Sequence, residues 1–89
     1  MPKFVVMHEV EDVDTWLKYK AERAGAISGM GATNVVDHVA HDGGKTVAIT
    51  AEADDVDAIV AQTASPPAEL LAAMQRHGVR PPLKVFVER

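Results

Sequence analysis

The pattern of apolar and polar positions divides the chain into strand-like and helix-like stretches. Runs rich in Val, Ile and other apolar residues occupy residues 4–7, 33–40, 45–52 and 83–88, and such runs are typical of strands. Apolar residues three to four positions apart, typical of helices, follow the first and third of these runs. The helical stretches begin at residues 12 and 55, and the second restarts at Ser65-Pro66, where we expect Ser65 to be the N-cap. The predicted order is strand–helix–strand–strand–helix–strand.

An internal repeat supports this order. Residues 9–17 (EVEDVDTWL) align with residues 52–60 (EADDVDAIV), and each copy follows a strand-like run. Asp12 and Asp55 are suited to be N-caps, because a carboxylate there accepts from the free amides of the first helical turn. Asp14 and Asp57 then lie in that turn, where the helix dipole favours negative charge. The repeat therefore predicts that these acids begin helices rather than bind metal or catalyse.

The order of elements predicts an α+β, ferredoxin-like βαββαβ fold that forms a single domain over residues 1–89. Right-handed crossovers place the helices on one face of a four-stranded antiparallel sheet, with the first and third strands central. Residues 41–44 (HDGG) form the predicted hairpin turn, and Gly78 is suited to end the last helix.

The strands are apolar on both faces, although helices can cover only one. In the first strand, Val5 and Met7 have one parity and Phe4 and Val6 the other. An antiparallel sheet with one face in water alternates apolar and polar residues more regularly than this. We therefore expect a second copy of the chain to cover the free face, which gives a homodimer formed through the sheet.

Composition restricts the partners and the chemistry. The net charge is −4, with 9 basic and 13 acidic residues, and the basic residues are scattered, so we expect no nucleic-acid partner. No apolar run is long enough to span a membrane, and the N-terminus does not resemble a signal peptide, so we expect a cytoplasmic protein. There is no Cys, which excludes disulfides and thiolate chemistry.

Four histidines are the remaining candidates for chemistry, and His8 is the most interesting of them. It has the parity of Phe4 and Val6, and the repeat places Ala51 at the matching position, so the fold itself needs no imidazole there. The pattern leaves open which face His8 occupies. His38 and His41 point to opposite sides of a strand, and His38 is roughly 9–10 Å from His8 across one strand, so we expect no metal site.

Other polar residues have simpler interpretations. Asn34 and Asp37 lie on the predicted edge strand, where polar side chains also favour solubility. His77 lies in the predicted last turn of a helix, where a cation suits the helix dipole.

Three segments resemble a known family. They are residues 8–16 (HEVEDVDTW), 64–74 (ASPPAELLAAM) and 78–88 (GVRPPLKVFVE). Together with the order of elements, they resemble the small dimeric α/β-barrel proteins, in particular the branch of short cyclase-like and antibiotic-biosynthesis-monooxygenase-like proteins. The resemblance implies a ligand cavity between helices and sheet or inside the barrel, and we find no haem-ligand pattern and expect no cofactor.

Two hypotheses about function follow. In the first, the protein binds or converts a small hydrophobic or aromatic molecule, as a cyclase or cofactor-free monooxygenase does, with His8 as general base or hydrogen-bond partner. Trp16, Tyr19, Asn34 and His38 are then the candidates for the pocket wall, although Trp16 also lies on the apolar helical stripe. In the second, the protein is a non-catalytic dimeric structural or regulatory module, which the scarcity of aromatic residues favours.

Overall fold

The computed structural model describes residues 2–89 and shows eight elements. They are β1 (Lys3–Val10), α1 (Val13–Lys18), α2 (Lys20–Gly29), β2 (Ala32–Val39), β3 (Thr46–Ala53), α3 (Val56–Ala64), α4 (Ala68–Arg76) and β4 (Val79–Val87). The four strands form one antiparallel sheet in the order β2-β3-β1-β4. The ferredoxin-like prediction, with β1 and β3 in the centre, is confirmed.

Both acidic caps are confirmed. The Asp12 carboxylate accepts from the Thr15 amide at 3.2 Å and from the Thr15 hydroxyl at 2.7 Å. The Asp55 carboxylate accepts from the Ala58 amide at 3.1 Å. Each bond satisfies an amide that the helix itself leaves without a partner.

The first helical region is divided at Tyr19, where the sequence pattern predicts no interruption. The Trp16 carbonyl accepts from the Tyr19 amide at 3.2 Å and from the Arg23 guanidinium at 3.0 Å. The Trp16 carbonyl beside the break between α1 and α2 therefore bonds a side chain of α2 as well as the Tyr19 amide.

The prediction for Ser65 is wrong. Ser65 is the C-terminal cap of α3, with its amide bonded to the Ala61 carbonyl at 3.1 Å, and α4 begins only at Ala68 after Pro67. Pro66 and Pro67 follow Ser65, and the residue before a proline is disfavoured in a helix, so the chain is extended here. Gly78 does end α4, with a φ of 75° that suits glycine.

The pairing of β1 with β4 is irregular beside His8. Met7 pairs with Lys84 and Glu9 pairs with Arg80, so that β4 has extra residues opposite His8. These include Pro81 and Pro82, which have no amide hydrogen to donate to the ladder. The bulge therefore keeps β4 from pairing with β1 at the position of His8.

The helices cover the face of the sheet that carries alternate residues of β1, and this decides the position of His8. Phe4, Val6, His8 and Val10 are buried on this inner face, and Val47, Ile49, Ala51 and Ala53 lie beside them on β3. Ile59 of α3 and Trp16 of α1 pack onto the same core. His8 therefore lies between the sheet and the helices.

The opposite, outer face of the sheet carries a row of mainly apolar residues. Val36, Thr50, Val5 and Phe86 are paired neighbours across β2, β3, β1 and β4. Phe86 is 52% exposed and Val36 is 42% exposed. The mixed alternation of the sequence thus corresponds to an apolar row that no helix covers.

Candidate functional site

His8 is a buried imidazole with a defined tautomer. Its side chain is on the inner face of β1, and the residue is 5% exposed. Nδ1 lies 3.1 Å from the Glu9 carbonyl, and since a carbonyl can only accept, Nδ1 carries the hydrogen. Burial lowers the pKa of His8, and the positive charge of Arg23 lowers it further, against the opposing effect of the bond to Glu9. The neutral ring therefore presents Nε2 as a free acceptor.

Trp16 and Arg23 lie next to His8. The Trp16 ring is completely buried and meets the His8 ring edge to face, with centroids 6.2 Å apart and planes at 76°. The Arg23 guanidinium carbon lies 3.8 Å from the centroid of the Trp16 ring, which is a cation–π contact. Within residues 2–89, the Trp16 Nε1 donor is buried without a hydrogen-bond partner.

Arg23 is held by a buried ion pair with Asp37 of β2. Arg23 Nη2 donates to Asp37 Oδ2 at 2.8 Å, and the two side chains are 6% and 4% exposed. Asp37 therefore points inward and neutralises a buried cation, so the interpretation of Asp37 as a residue for solubility is wrong. The bulge at Asn34, where φ is 54°, precedes Asp37 in the same strand and shifts its register.

His77 closes the cluster from the end of α4. Arg23 Nη1 donates to His77 Nδ1 at 3.3 Å, so the hydrogen is on Nε2, which faces Glu22 Oε1 at 3.4 Å. The Tyr19 ring stacks on the imidazole with a centroid distance of 4.7 Å. Burial is the largest effect on His77 and lowers its pKa. His77 is therefore a neutral buried ring rather than the helix-end cation that the sequence predicts.

A small cavity lies against this cluster, between helices and sheet. Its volume is about 80 Å³, and His8, Arg23 and His77 form its polar part. Apart from Thr63, the rest of its wall is apolar and includes Phe4 and Ile49. We call this space the inner cavity.

A larger groove adjoins the inner cavity on its α3–α4–β4 side. It has a volume of about 640 Å³ and is lined by apolar residues that include Val60, Leu71, Pro81 and Pro82. We call this space the outer groove.

The structure brings only some of the predicted site residues together. His8 and Trp16 are in contact, and Tyr19 stacks on His77, which Arg23 links to Trp16. Of these, His8 lines the inner cavity, whereas Trp16 and Tyr19 lie behind its wall. Asn34 and His38 lie elsewhere: Asn34 Nδ2 donates to Glu52 Oε2 at 3.0 Å, and His38 Nε2 is 2.9 Å from the Thr50 hydroxyl, both near the solvent. Neither residue reaches the inner cavity.

Sequence reasoning missed Arg23 and His77. Arg23 is seven residues after Trp16 and four before Ile27, which is a position on the apolar stripe of the helix. A charged residue on that stripe predicts a buried partner of opposite charge, and Asp37 has the required sign. His77 has no comparable signal, since the end of a helix is an ordinary place for a histidine.

The side chains present offer proton transfer and electrostatic stabilisation rather than metal binding. Within the described part of the chain, no three His, Cys, Asp or Glu side chains are close enough to hold a metal ion. His8 can accept a proton at Nε2, and Arg23 supplies a fixed positive charge on the wall of the same cavity.

Several solved structures of other proteins have the same architecture as this chain. One titled as an antibiotic biosynthesis monooxygenase superimposes with a TM-score of 0.67 and 14% identity, covering 100% of this chain and 97% of that one. SnoaB, a cofactor-independent oxygenase from Streptomyces nogalater, gives a TM-score of 0.66 and 19% identity, covering 99% and 92%. The chain has the fold of the antibiotic biosynthesis monooxygenases. The resemblance noted in the sequence is thus confirmed at the level of the fold.

A further structure with this fold is a dimeric ferredoxin-like protein from an uncultured marine organism, with a TM-score of 0.55 and 8% identity, covering 100% of this chain and 92% of that one. No protein-family model matches the sequence, and no curated protein does. None of the helices within residues 2–89 has the length and apolar character needed to cross a membrane.

Proposed function

We propose that the protein binds a small molecule in the inner cavity and that His8 accepts a proton from it. The observation that carries this proposal is the neutral, buried imidazole on the cavity wall, fixed through Nδ1 and free at Nε2. A base in this form needs no prior loss of a proton. The proton moves from an acidic O–H or C–H of the ligand to Nε2 and leaves a negative charge on the ligand.

Arg23 is the group that stabilises this charge. Arg23 lines the same cavity, and its guanidinium is fixed by Asp37 and by the Trp16 carbonyl, so it does not have to reorient when the charge appears. The Asp37 carboxylate offsets the charge of Arg23 in the resting protein, which keeps the buried cation tolerable.

The chemistry that follows deprotonation is of the cofactor-free monooxygenase-like or cyclase-like kind. A buried base beside a fixed cation generates an electron-rich anion of an apolar or aromatic molecule. In the monooxygenase-like case dioxygen is the oxidant that reacts with this anion, and in the cyclase-like case the anion attacks an electrophilic carbon of the same molecule. The shared fold with SnoaB, a cofactor-independent oxygenase, supports this direction. If no small molecule binds in the inner cavity, the second hypothesis, a non-catalytic dimeric module, is favoured instead.

A titration with 4-nitrophenol tests the proposal, because its ionised and neutral forms absorb at different wavelengths. We expect the bound phenol to ionise about one to three pH units below the free phenol, the range that a nearby opposite charge produces. His8→Gln should reduce this shift by the part that the imidazolium formed at His8 contributes, since an amide takes up no proton, and the part due to Arg23 should remain. His38→Gln is the matched control on the outer face and should leave the shift unchanged. Equal shifts in His8→Gln and the unaltered protein would contradict the role of His8.

We also propose that the outer face of the sheet forms a homodimer. The row of Val36, Thr50, Val5 and Phe86 crosses the whole sheet, and no other element within residues 2–89 covers it. A two-fold contact between two such rows buries both, and a dimeric protein with the same fold supports the arrangement. His38 and Thr50 would then lie at the interface.

Light scattering on the eluting protein tests the dimer. We expect twice the mass of one chain, and one chain mass for Phe86→Glu, because a carboxylate buried in an apolar contact loses its hydration. Leu17→Glu is the control, since Leu17 is a similarly exposed apolar residue on α1, away from the outer face. A monomeric unaltered protein, or a dimer that Phe86→Glu leaves intact, would exclude this interface.

A further inference from the structure

We infer that the ligand occupies both the inner cavity and the outer groove, and that Met74 is the gate between them. This inference rests on the proposed binding function, and it adds the shape of the ligand and its route to His8. The ligand it describes is an elongated apolar molecule with one polar, acidic end.

The volumes of the inner cavity and the outer groove imply that one ligand occupies both spaces. The inner cavity, at about 80 Å³, has room for little more than a few water molecules or the end of a ligand. Sites for whole small molecules usually measure about 300–1,000 Å³, and the outer groove, at about 640 Å³, is within that range. The chemistry of His8 is therefore at the end of the smaller space, and most of a ligand's volume fits only in the larger one.

The same four side chains form part of both walls, which makes them the partition between the two spaces. They are Thr63 of α3, Met74 of α4, and Val79 and Leu83 of β4. A ligand that passes from the outer groove to His8 has to displace at least one of them.

Met74 is the member of the partition best able to move. The Thr63 hydroxyl is bonded to the Ile59 carbonyl at 2.9 Å, and Val79 is β-branched and paired with Val10 in the sheet. Leu83 is branched at Cγ, whereas Met74 has an unbranched and more flexible side chain. It also lies on α4, a nine-residue helix with no side-chain bond at its N-terminal cap.

The walls define the chemical class of the ligand. The outer groove offers apolar surfaces from Val60, Leu71 and the pair Pro81-Pro82, and these suit the body of an aromatic or aliphatic molecule. The polar groups at the inner end are His8, Arg23 and His77, and they suit one hydroxyl or enol. Because the polar groups lie in the inner cavity, beyond the apolar outer groove, the ligand is oriented with its acidic end entering first.

Binding rates of two probes test the gate. 4-Hydroxy-4′-nitrobiphenyl is long enough to need both spaces, and 4-nitrobiphenyl has the same body without the acidic group. We expect Met74→Ala to raise the association rate of both probes about tenfold, the effect of a barrier lower by about 1.4 kcal/mol. Met74→Leu keeps the volume but is branched, and it should slow association while the fold is retained. Leu71→Ala lines only the outer groove and should weaken binding without accelerating it.

The result separates the gate from the role of His8. Because 4-nitrobiphenyl has no proton to lose, a gated association rate for this probe supports the two-space site even if His8 is not a base. Rates unchanged in both Met74 variants would overturn the gate. A crystal structure with the hydroxylated probe in the outer groove alone, or with a second chain filling that groove, would overturn the two-space site.

Discussion

The buried Arg23–Asp37 pair makes a strong prediction about stability. Asp37→Leu removes the carboxylate that bonds the guanidinium at 2.8 Å, in a place where both side chains are more than nine-tenths buried. A charge left alone in such a place costs about 3–5 kcal/mol. A domain of this length has about 4–13 kcal/mol of stability in total, so the loss is a large part of it. The melting temperature should fall by at least about 12 °C.

Urea unfolding followed by circular dichroism measures the stability lost in Asp37→Leu. Two further variants serve as comparisons. Arg76→Gln breaks the Arg76–Glu22 pair, whose side chains are 52% and 41% exposed, and should cost no more than about 1 kcal/mol. The double variant Arg23→Met/Asp37→Leu leaves no buried charge and should be more stable than Asp37→Leu alone, although it also loses the bond to the Trp16 carbonyl. If Asp37→Leu costs no more than Arg76→Gln, burial does not control the energy of this pair and the reasoning is refuted.

Two further predictions concern pH and backbone conformation. Since burial lowers the pKa of both His8 and His77 in the folded state, the unfolded chain binds protons more readily, and stability should decrease as the pH falls below about 6.5. The slope in urea unfolding can reach about 1.4 kcal/mol per pH unit for each ring, and His77→Gln should reduce it. Gly78→Ala forces an alanine to a φ of 75° and should cost about 1–2 kcal/mol, whereas Gly25→Ala, in open space within α2, should stabilise the helix by about 0.5–1 kcal/mol.

Either of these predictions can fail clearly. A flat stability profile between pH 7 and 5 would mean that the two rings take up protons in the fold as easily as in the unfolded chain. A Gly78→Ala variant as stable as the unaltered protein would mean that the end of α4 can adopt another conformation at little cost.

Local rules were sufficient for the order of elements and for the two helix starts that follow the acidic repeat. The acidic repeat identified Asp12 and Asp55 as caps because an N-cap depends only on the residue itself and on amides within the next turn. The same rules failed at Tyr19 and Ser65. At the break beside Tyr19 the Arg23 guanidinium bonds the Trp16 carbonyl, and sequence patterns alone do not show where a long side chain bonds.

The candidate site likewise contains one residue that could be found from the sequence and several that could not. His8 could be singled out from the sequence because the internal repeat and the alternation of β1 leave an imidazole unexplained there. Its partners could not, since Arg23, Asp37 and His77 come from α2, β2 and the end of α4. The sequence does not show which residues of distant elements come into contact in the fold.

By itself, the sequence determined the alternation of apolar residues and the two acidic helix starts at Asp12 and Asp55, and these specify a ferredoxin-like chain with His8 on one face of a central strand. Only the tertiary structure decided that this face is the one under the helices. The physical reason is that both faces of β1 are apolar, so periodicity cannot distinguish them. The choice depends on which face the helices and the buried Arg23–Asp37 pair can cover together.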